Sequence, residues 1–339
     1  MKTTCQSEFG KLKTVFVKRP EEAFVSEKQI SSQWKELNFL SKPDLEKAKL
    51  EFSHFEKLLK QQGAEVLYLP NSPHVTLDSL YCRDAALITD HGAIICNMGK
   101  PARQNEPNEE RLAFQEKGIK ILGEIKSPGT IEGGDVAWID QHTLAVGHTY
   151  RTNEEGIRQL KNLLEPFGIE VWAAHMPHYK GPTDVFHLMS VFSPVDKNLA
   201  VVYSPLMPIA FRNGLLDRGY SFVEVPDEEW ESMGCNVLAI APRECIMVKG
   251  NDITKKRLIE AGCTVWEYEG QEISLKGGGG PTCLTRPVER LCPDRKGLTK
   301  KVESGVSLSL SKANVNPERG FDKLNLTSNV LFSQPLYCL

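Results

Sequence analysis

The chain has 339 residues with 41 basic and 44 acidic side chains, a balance that advertises no polyanion-binding surface and argues against nucleic acid as a partner. No apolar run approaches the roughly 20 residues needed to cross a bilayer, and Met1-Lys2-Thr3-Thr4-Cys5-Gln6 leads into no apolar signal segment, so a cytoplasmic protein without membrane partners is expected. Nine scattered cysteines fit reduced thiols better than a disulfide framework.

In chain order, one pattern recurs: a helix-like stretch, a glycine, then a strand. Leu50, Phe52, Phe55, Leu58 and Leu59 carry helical spacing ahead of Gly63, and the run 64–69 after it reads as a strand. Short strands follow over 86–89 and 92–96. Gly118 precedes the next strand-like run. Ile157, Leu160, Leu163 and Leu164 lead to Gly168, and the strand 199–203 comes before Gly219 and Gly262. Each glycine stands where a helix would end in a left-handed residue. The glycines are 55, 50, 51 and 43 residues apart, a period that marks a repeat architecture. Five mixed units of this kind fit a closed, propeller-like ring; a doubly wound sheet is the competing arrangement. The repeat stops near residue 291, so 1–291 is read as one catalytic domain and 292–339 as a poorly ordered tail.

The ionisable residues fall at similar phases of the repeat. Asp78 and Asp84 come 15 and 21 residues after Gly63, and Glu132 and Asp135 come 14 and 17 after Gly118. His187 comes 19 after Gly168, and Cys283 comes 21 after Gly262; the fourth unit offers only Gly234-Cys235-Asn236-Val237. In a ring, equal phase means the same end of each unit, so these side chains should converge on the axis. Singly, each has an ordinary reading: a packed thiol, a core histidine, a solvated turn, a structural Arg83–Asp84 pair. Together, a cysteine, a histidine and several carboxylates suit nucleophilic attack on a cation. The thiolate is the reactive form, and a guanidinium wants paired carboxylate acceptors. No Cys-x-x-Cys pair or His-Glu-x-x-His helix is present, so neither metal nor cofactor is expected.

These residues resemble the guanidino-group-modifying, or pentein, superfamily over nearly all of 5–291. The markers are Arg83-Asp84, Arg103, Ile131-Glu132-Gly133-Gly134-Asp135-Val136, Gly147 to Asn153 with Arg151, His187, and the run Gly277-Gly278-Gly279-Gly280-Pro281-Thr282-Cys283. The resemblance implies a five-unit pseudo-symmetric α/β propeller. Within it the chain looks most like the dimethylarginine dimethylaminohydrolases. That implies Cys283 as nucleophile, His187 as acid and then base, and Glu132 and Asp84 around the guanidinium, with Asp135 in the same turn as a further binding residue. Arg103 and Arg151 would hold a substrate carboxylate and Asp78 an α-amino group. The implied reaction converts dimethylarginine to citrulline and dimethylamine. Two positions depart from family patterns. Arginine deiminases and amidinotransferases resemble one another in carrying an acid where this chain has Met189, which favours a methylated guanidinium. Arg83 stands where the dimethylarginine enzymes tend to carry an acid, whereas arginine deiminases resemble this chain in carrying Arg-Asp. An arginine deiminase or amidinotransferase is therefore the alternative of the same chemistry. A pentein that binds the ribosome without catalysis is the alternative of another class, and it would have no use for the full catalytic set. The expected partner is a small guanidino substrate, with monomer and homodimer both open.

Overall fold

A computed structural model describes residues 6–291; the expected tail over 292–339 lies outside the described residues. The strands in chain order are β1 (Lys11–Val17), β2 (Glu65–Tyr68), β3 (Ala86–Thr89), β4 (Gly92–Ile95), β5 (Ile121–Glu124), β6 (Val136–Trp138), β7 (Thr143–His148) and β8 (Glu170–His175). They continue as β9 (Phe192–Asp196), β10 (Leu199–Val202), β11 (Ser221–Glu224), β12 (Leu238–Ala241), β13 (Glu244–Val248), β14 (Thr264–Tyr268) and β15 (Arg286–Leu291). They form five three-stranded sheets, ordered β15-β1-β2, β3-β4-β5, β6-β7-β8, β9-β10-β11 and β12-β13-β14.

Every sheet has the same plan. Its central strand pairs antiparallel on one side and parallel on the other. A parallel neighbour needs a crossover. Helices Leu45–Gln61, Glu106–Glu116, Glu154–Leu164, Ile209–Asp217 and Asp252–Glu260 supply the five crossovers. The first and third start on side-chain caps: Asp44 accepts from Lys47 N at 3.0 Å and Asn153 from Gly156 N at 2.8 Å. After the helices come Gly63, Gly118, Gly168, Gly219 and Gly262, with φ of 83, 66, 67, 80 and 83°. A side chain there would strain the left-handed turn back to the sheet.

The sheets close into a five-unit α/β propeller. The first sheet joins both ends of the described chain, Lys11 opposite Leu291 and Phe16 opposite Arg286. Hydrogen bonds link each unit to the next around the ring. Arg286 Nη2 donates to Arg83 O at 2.8 Å, Gly133 N to Asp84 O at 2.9 Å and Tyr220 Oη to Ile139 O at 3.0 Å. Arg243 N donates to Val195 O at 2.9 Å, and Arg290 Nη1 to Ala239 O at 2.8 Å. The apolar helix face is Leu45, Ala48, Phe52, Phe55 and Leu59, all buried, whereas Leu50 of the expected stripe is 70% exposed. Leu50 lies on the solvent side because its phase belongs to the opposite face of the helix. Among the described residues, Cys82, Cys96, Cys235, Cys245, Cys263 and Cys283 are free thiols.

Candidate active site

Five loops enter the first strand of a sheet from its preceding parallel strand, and all five open at one end of the ring. Asp78 and Asp84 lie between β2 and β3, Glu132 and Asp135 between β5 and β6, and His187 between β8 and β9. Asn236 lies between β11 and β12, and Cys283 between β14 and β15. Asp78, Asp84, Arg103, Arg151, His187 and Cys283 line one cavity of about 180 Å³. Equal phase along the chain thus becomes a shared end in space for the residues that carry chemistry.

The centre of the site is an ion pair. His187 Nε2 meets Glu132 Oε2 at 2.9 Å, and its Nδ1 lies 4.0 Å from Asp84 Oδ1. The ring is held close by its own backbone: His187 N donates to Ser190 Oγ at 3.1 Å, and Ser190 N returns to His187 O at 3.0 Å. Gly134 makes room for it, since a Cβ there would lie 2.3 Å from His187 Nδ1 and 2.9 Å from Asp84 Oδ1. Burial alone would favour the neutral ring, but Asp135, Asp84 and Glu132 outweigh it and carry the His187 pKa up to about 9. Burial likewise opposes the Glu132 carboxylate. The His187 bond and charge, with Arg151 and Arg103, bring its pKa down to about 2. At neutral pH the pair is imidazolium and carboxylate.

The thiol is placed by the glycine run. A Cβ at Gly277 would meet Tyr81 Oη at 1.9 Å, and one at Gly279 would meet the Tyr81 ring at 2.5 Å. The run therefore wraps Tyr81, and the loop it forms delivers Cys283 to the cavity. Asn236 Nδ2 donates to Cys283 Sγ at 3.4 Å, while Asn236 Oδ1 accepts from Thr282 N at 3.0 Å and Thr282 Oγ1 at 2.9 Å. Burial and then Asp84 push the Cys283 pKa up; Thr282, Asn236 and Arg83 pull against them.

Several residues have a different place from the one their motif implied. Arg103 was expected on a substrate carboxylate, yet its guanidinium is already engaged. Nη1 meets Asp84 Oδ2 at 2.5 Å, Nε and Nη2 grip Glu106 at 2.7–3.1 Å, and Nη2 also reaches Tyr81 O at 2.8 Å. It orients Asp84 instead. Asp135 does not line the cavity; it accepts from Thr149 Oγ1 at 2.7 Å and Leu188 N at 3.0 Å, behind His187. Burial holds the Asp135 pKa up at about 6. Glu132 is wholly buried and reaches the cavity through His187. Asp78 lines the cavity but forms an ion pair with Lys100 Nζ at 2.6 Å. The Arg151 side chain makes only long bonds, 3.4 Å to Glu132 Oε1 and 3.4 Å to Asp184 O. Arg83 faces away from the cavity and pairs with Glu8 at 2.8 Å, whereas Met189 lines it.

Sequence reasoning missed Asn236, Lys100, Tyr81 and Glu106. Asn236 had a signal: it follows Gly219 by 17 residues, the phase of Asp135 after Gly118. Among the described residues, Asp84, Glu132 and His187 also bring possible metal-ligand atoms within 4.8 Å of one another. In the structure these atoms engage one another and Arg103: His187 Nε2 meets Glu132 Oε2 at 2.9 Å, and Asp84 Oδ2 meets Arg103 Nη1 at 2.5 Å.

A five-unit α/β propeller whose axial end gathers a cysteine, a histidine and carboxylates defines the guanidino-group-modifying pentein superfamily. Residues 20–290 match the family model described as N,N dimethylarginine dimethylhydrolase, eukaryotic, and the chain belongs to that family. Among curated proteins it is 28% identical over 291 residues to the uncharacterized protein YkgA of Bacillus subtilis, covering 85% of this chain and 96% of that one. It is 26% identical over 246 residues to the N(G),N(G)-dimethylarginine dimethylaminohydrolase of Pseudomonas aeruginosa, covering 73% and 90%. Among solved structures, a DDAH mutant from Pseudomonas aeruginosa complexed with citrulline superposes with a TM-score of 0.66 at 23% identity, over 83% of this chain and 100% of that one. No helix among the described residues is long and apolar enough to cross a membrane.

Proposed function

We propose that the chain hydrolyses a C–N bond at the guanidinium carbon of a small guanidino substrate, through a covalent intermediate on Cys283. The observation that carries this reading is the Cys283 thiol sharing one cavity with an imidazolium and the Asp84 carboxylate. A guanidinium bound against Asp84 places a positive charge beside the sulfur. That favours loss of the thiol proton to solvent, which burial alone resists. The thiolate forms a C–S bond to the guanidinium carbon. His187 gives its proton to the departing nitrogen as the C–N bond breaks, leaving an S-alkylthiouronium and a free amine. The now neutral His187 takes a proton from water, whose oxygen adds to the same carbon. The C–S bond breaks to regenerate the thiolate, a second proton passes to solvent, and a ureido product leaves. Glu132 acts through His187: it holds the ring and stabilises the charged form that serves as the acid.

Met189 supports a methylated guanidinium. It puts an apolar side chain against the cavity where an additional carboxylate would suit an unmethylated N–H donor. Dimethylarginine, giving citrulline and dimethylamine, is then the reaction the family resemblance favours. The test is incubation with arginine, asymmetric dimethylarginine and agmatine, with assay of ureido product and released amine. Dimethylamine release is the expected result. Ammonia from arginine alone reassigns the chain to a deiminase, and no turnover on any guanidine overturns the reading.

A further inference from the structure

The ends of β7 and β8 carry a histidine pair that the guanidinium chemistry does not use. The two strands run parallel and in register, with His148 opposite His175 as their last pair. Nδ1 of one ring lies 3.2 Å from Nδ1 of the other, and the rings meet edge to face at 81°. His148 is half-buried and His175 exposed, so the pair opens to solvent. Neither ring lines the cavity that holds Cys283. Just beyond, Tyr150 Oη lies 2.9 Å from His178 Nδ1 and forms a second rung between the same two segments.

Two facing imidazole nitrogens can share one proton, one ring donating and the other accepting. They can also give both lone pairs to a single ion. Two nitrogens bound at about 2.0–2.1 Å to one tetrahedral zinc stand about 3.3 Å apart, so this pair already has the spacing of a chelate. Neutral imidazole suits zinc, nickel or copper, whereas magnesium and calcium want oxygen ligands. Among the described residues no third imidazole, thiol or carboxylate joins the pair within 4.8 Å. No local motif announces it either, because the two histidines are 27 residues apart.

We infer that His148 and His175 form a binding site for a divalent transition-metal ion, held through both Nδ1 atoms with water in the remaining positions. The bound ion braces the active end of the ring from outside the cavity. β7 runs on into the segment that carries Arg151, and β8 into the loop that carries His187, so one ion clamps the start of both. The site is independent of the proposed guanidinium chemistry, and its test needs no turnover.

Zinc and cobalt(II) are the probes, used on the full chain with Cys283→Ser so that the cavity thiol cannot take the metal. Calorimetric titration should find one zinc per chain, bound about tenfold or more weakly after His148→Gln or His175→Gln. His178→Gln should keep it; an equal loss there would move the ion to the outer rung and overturn the site. Bound cobalt should show weak visible bands without the intense near-ultraviolet absorption of thiolate ligation. No zinc uptake, or uptake unchanged in both glutamine variants, would reduce the pair to a shared proton and overturn the inference. Should a variant fail to fold, histidine nitrogen NMR of the Cys283→Ser protein makes the same distinction. Zinc should move two Nδ1 resonances outside the cavity, and a shift confined to His187 would sink the site. Zinc should also slow amide exchange over residues 149–153 and 176–187, and unchanged exchange with zinc bound would refute the brace.

Discussion

Glu132 and Glu110 are both buried glutamates in the same half of the ring, 0% and 2% exposed, and they carry opposite protonation. Glu132 is drawn down to about 2 by His187, Arg151 and Arg103, which outweigh its burial. Glu110 has neither carboxylate oxygen hydrogen-bonded among the described residues, and burial drives it up to about 8. Glu106 falls between them. It is gripped by Arg103 but shares that arginine with Asp84 and stands near Asp78, so burial wins and holds it at about 7. Burial is common to all three; the number of cations each carboxylate commands decides which one is charged. On the cavity side that supply is rich, and there it sets up the acid of the proposed reaction.

Breaking the Glu132 side should cost most. Glu132→Gln keeps the shape but removes the charge that holds the imidazolium. Turnover at neutral pH should fall about a thousandfold, the scale of a lost general acid. The alkaline limb of the rate profile should move down from about 9, because the acid then loses its proton earlier. The control is Glu110→Gln, which lines only a small separate crevice with Lys18 and Ser79. Its turnover should stay near wild type, and a comparable loss there would dissolve the distinction.

The second test reads stability. Glu110 has a folded pKa of about 8 against an ordinary 4.5. The folded state therefore binds more protons across that interval, and stability falls as pH rises through it, by roughly 1.4 kcal/mol per pH unit, levelling above 8. His187, raised from 6.5 to about 9, adds a loss of the same sign that is complete only above 9. Glu132 works the other way, losing its contribution only as pH falls from 4.5 toward 2. Urea unfolding between pH 5 and 8 should show the decline in wild type and a flatter curve in Glu110→Gln. Parallel curves would mean that Glu110 is ionised after all.

The fold was legible because its signals are local and repeated. Helix ends at Gly63, Gly118, Gly168, Gly219 and Gly262 need left-handed residues, and all five have them. Their spacing alone put Asp84, His187 and Cys283 at one end of the ring. The pairings were not legible. Nothing in Gly99-Lys100-Pro101 says that the lysine reaches Asp78, because that contact depends on how two loops of one unit fold back on each other. Arg103 and Glu106 are three residues apart, and the motif drew attention to the arginine alone. Asn236 looked inert because an amide has no titration of its own; its use is to hold another group.

That use supplies the smallest test. Cys283 and Cys235 are both thiols raised by burial, but Cys283 has a side-chain amide aimed at its sulfur, Asn236 Nδ2 at 3.4 Å. By the same partner rule that separates Glu132 from Glu110, removing Asn236 should push the Cys283 pKa further up. One hydrogen bond is worth about 1 kcal/mol, so alkylation of Cys283 by iodoacetamide at pH 8 should slow about fivefold in Asn236→Ala. Asn236 also fixes Thr282, so a slower rate alone would fit a displaced loop. The pH dependence separates the two: a lost donor moves the alkylation midpoint upward and leaves the plateau rate intact, whereas a displaced loop lowers the plateau and leaves the midpoint in place. An unmoved midpoint would mean that the amide positions the turn and the sulfur draws nothing from it.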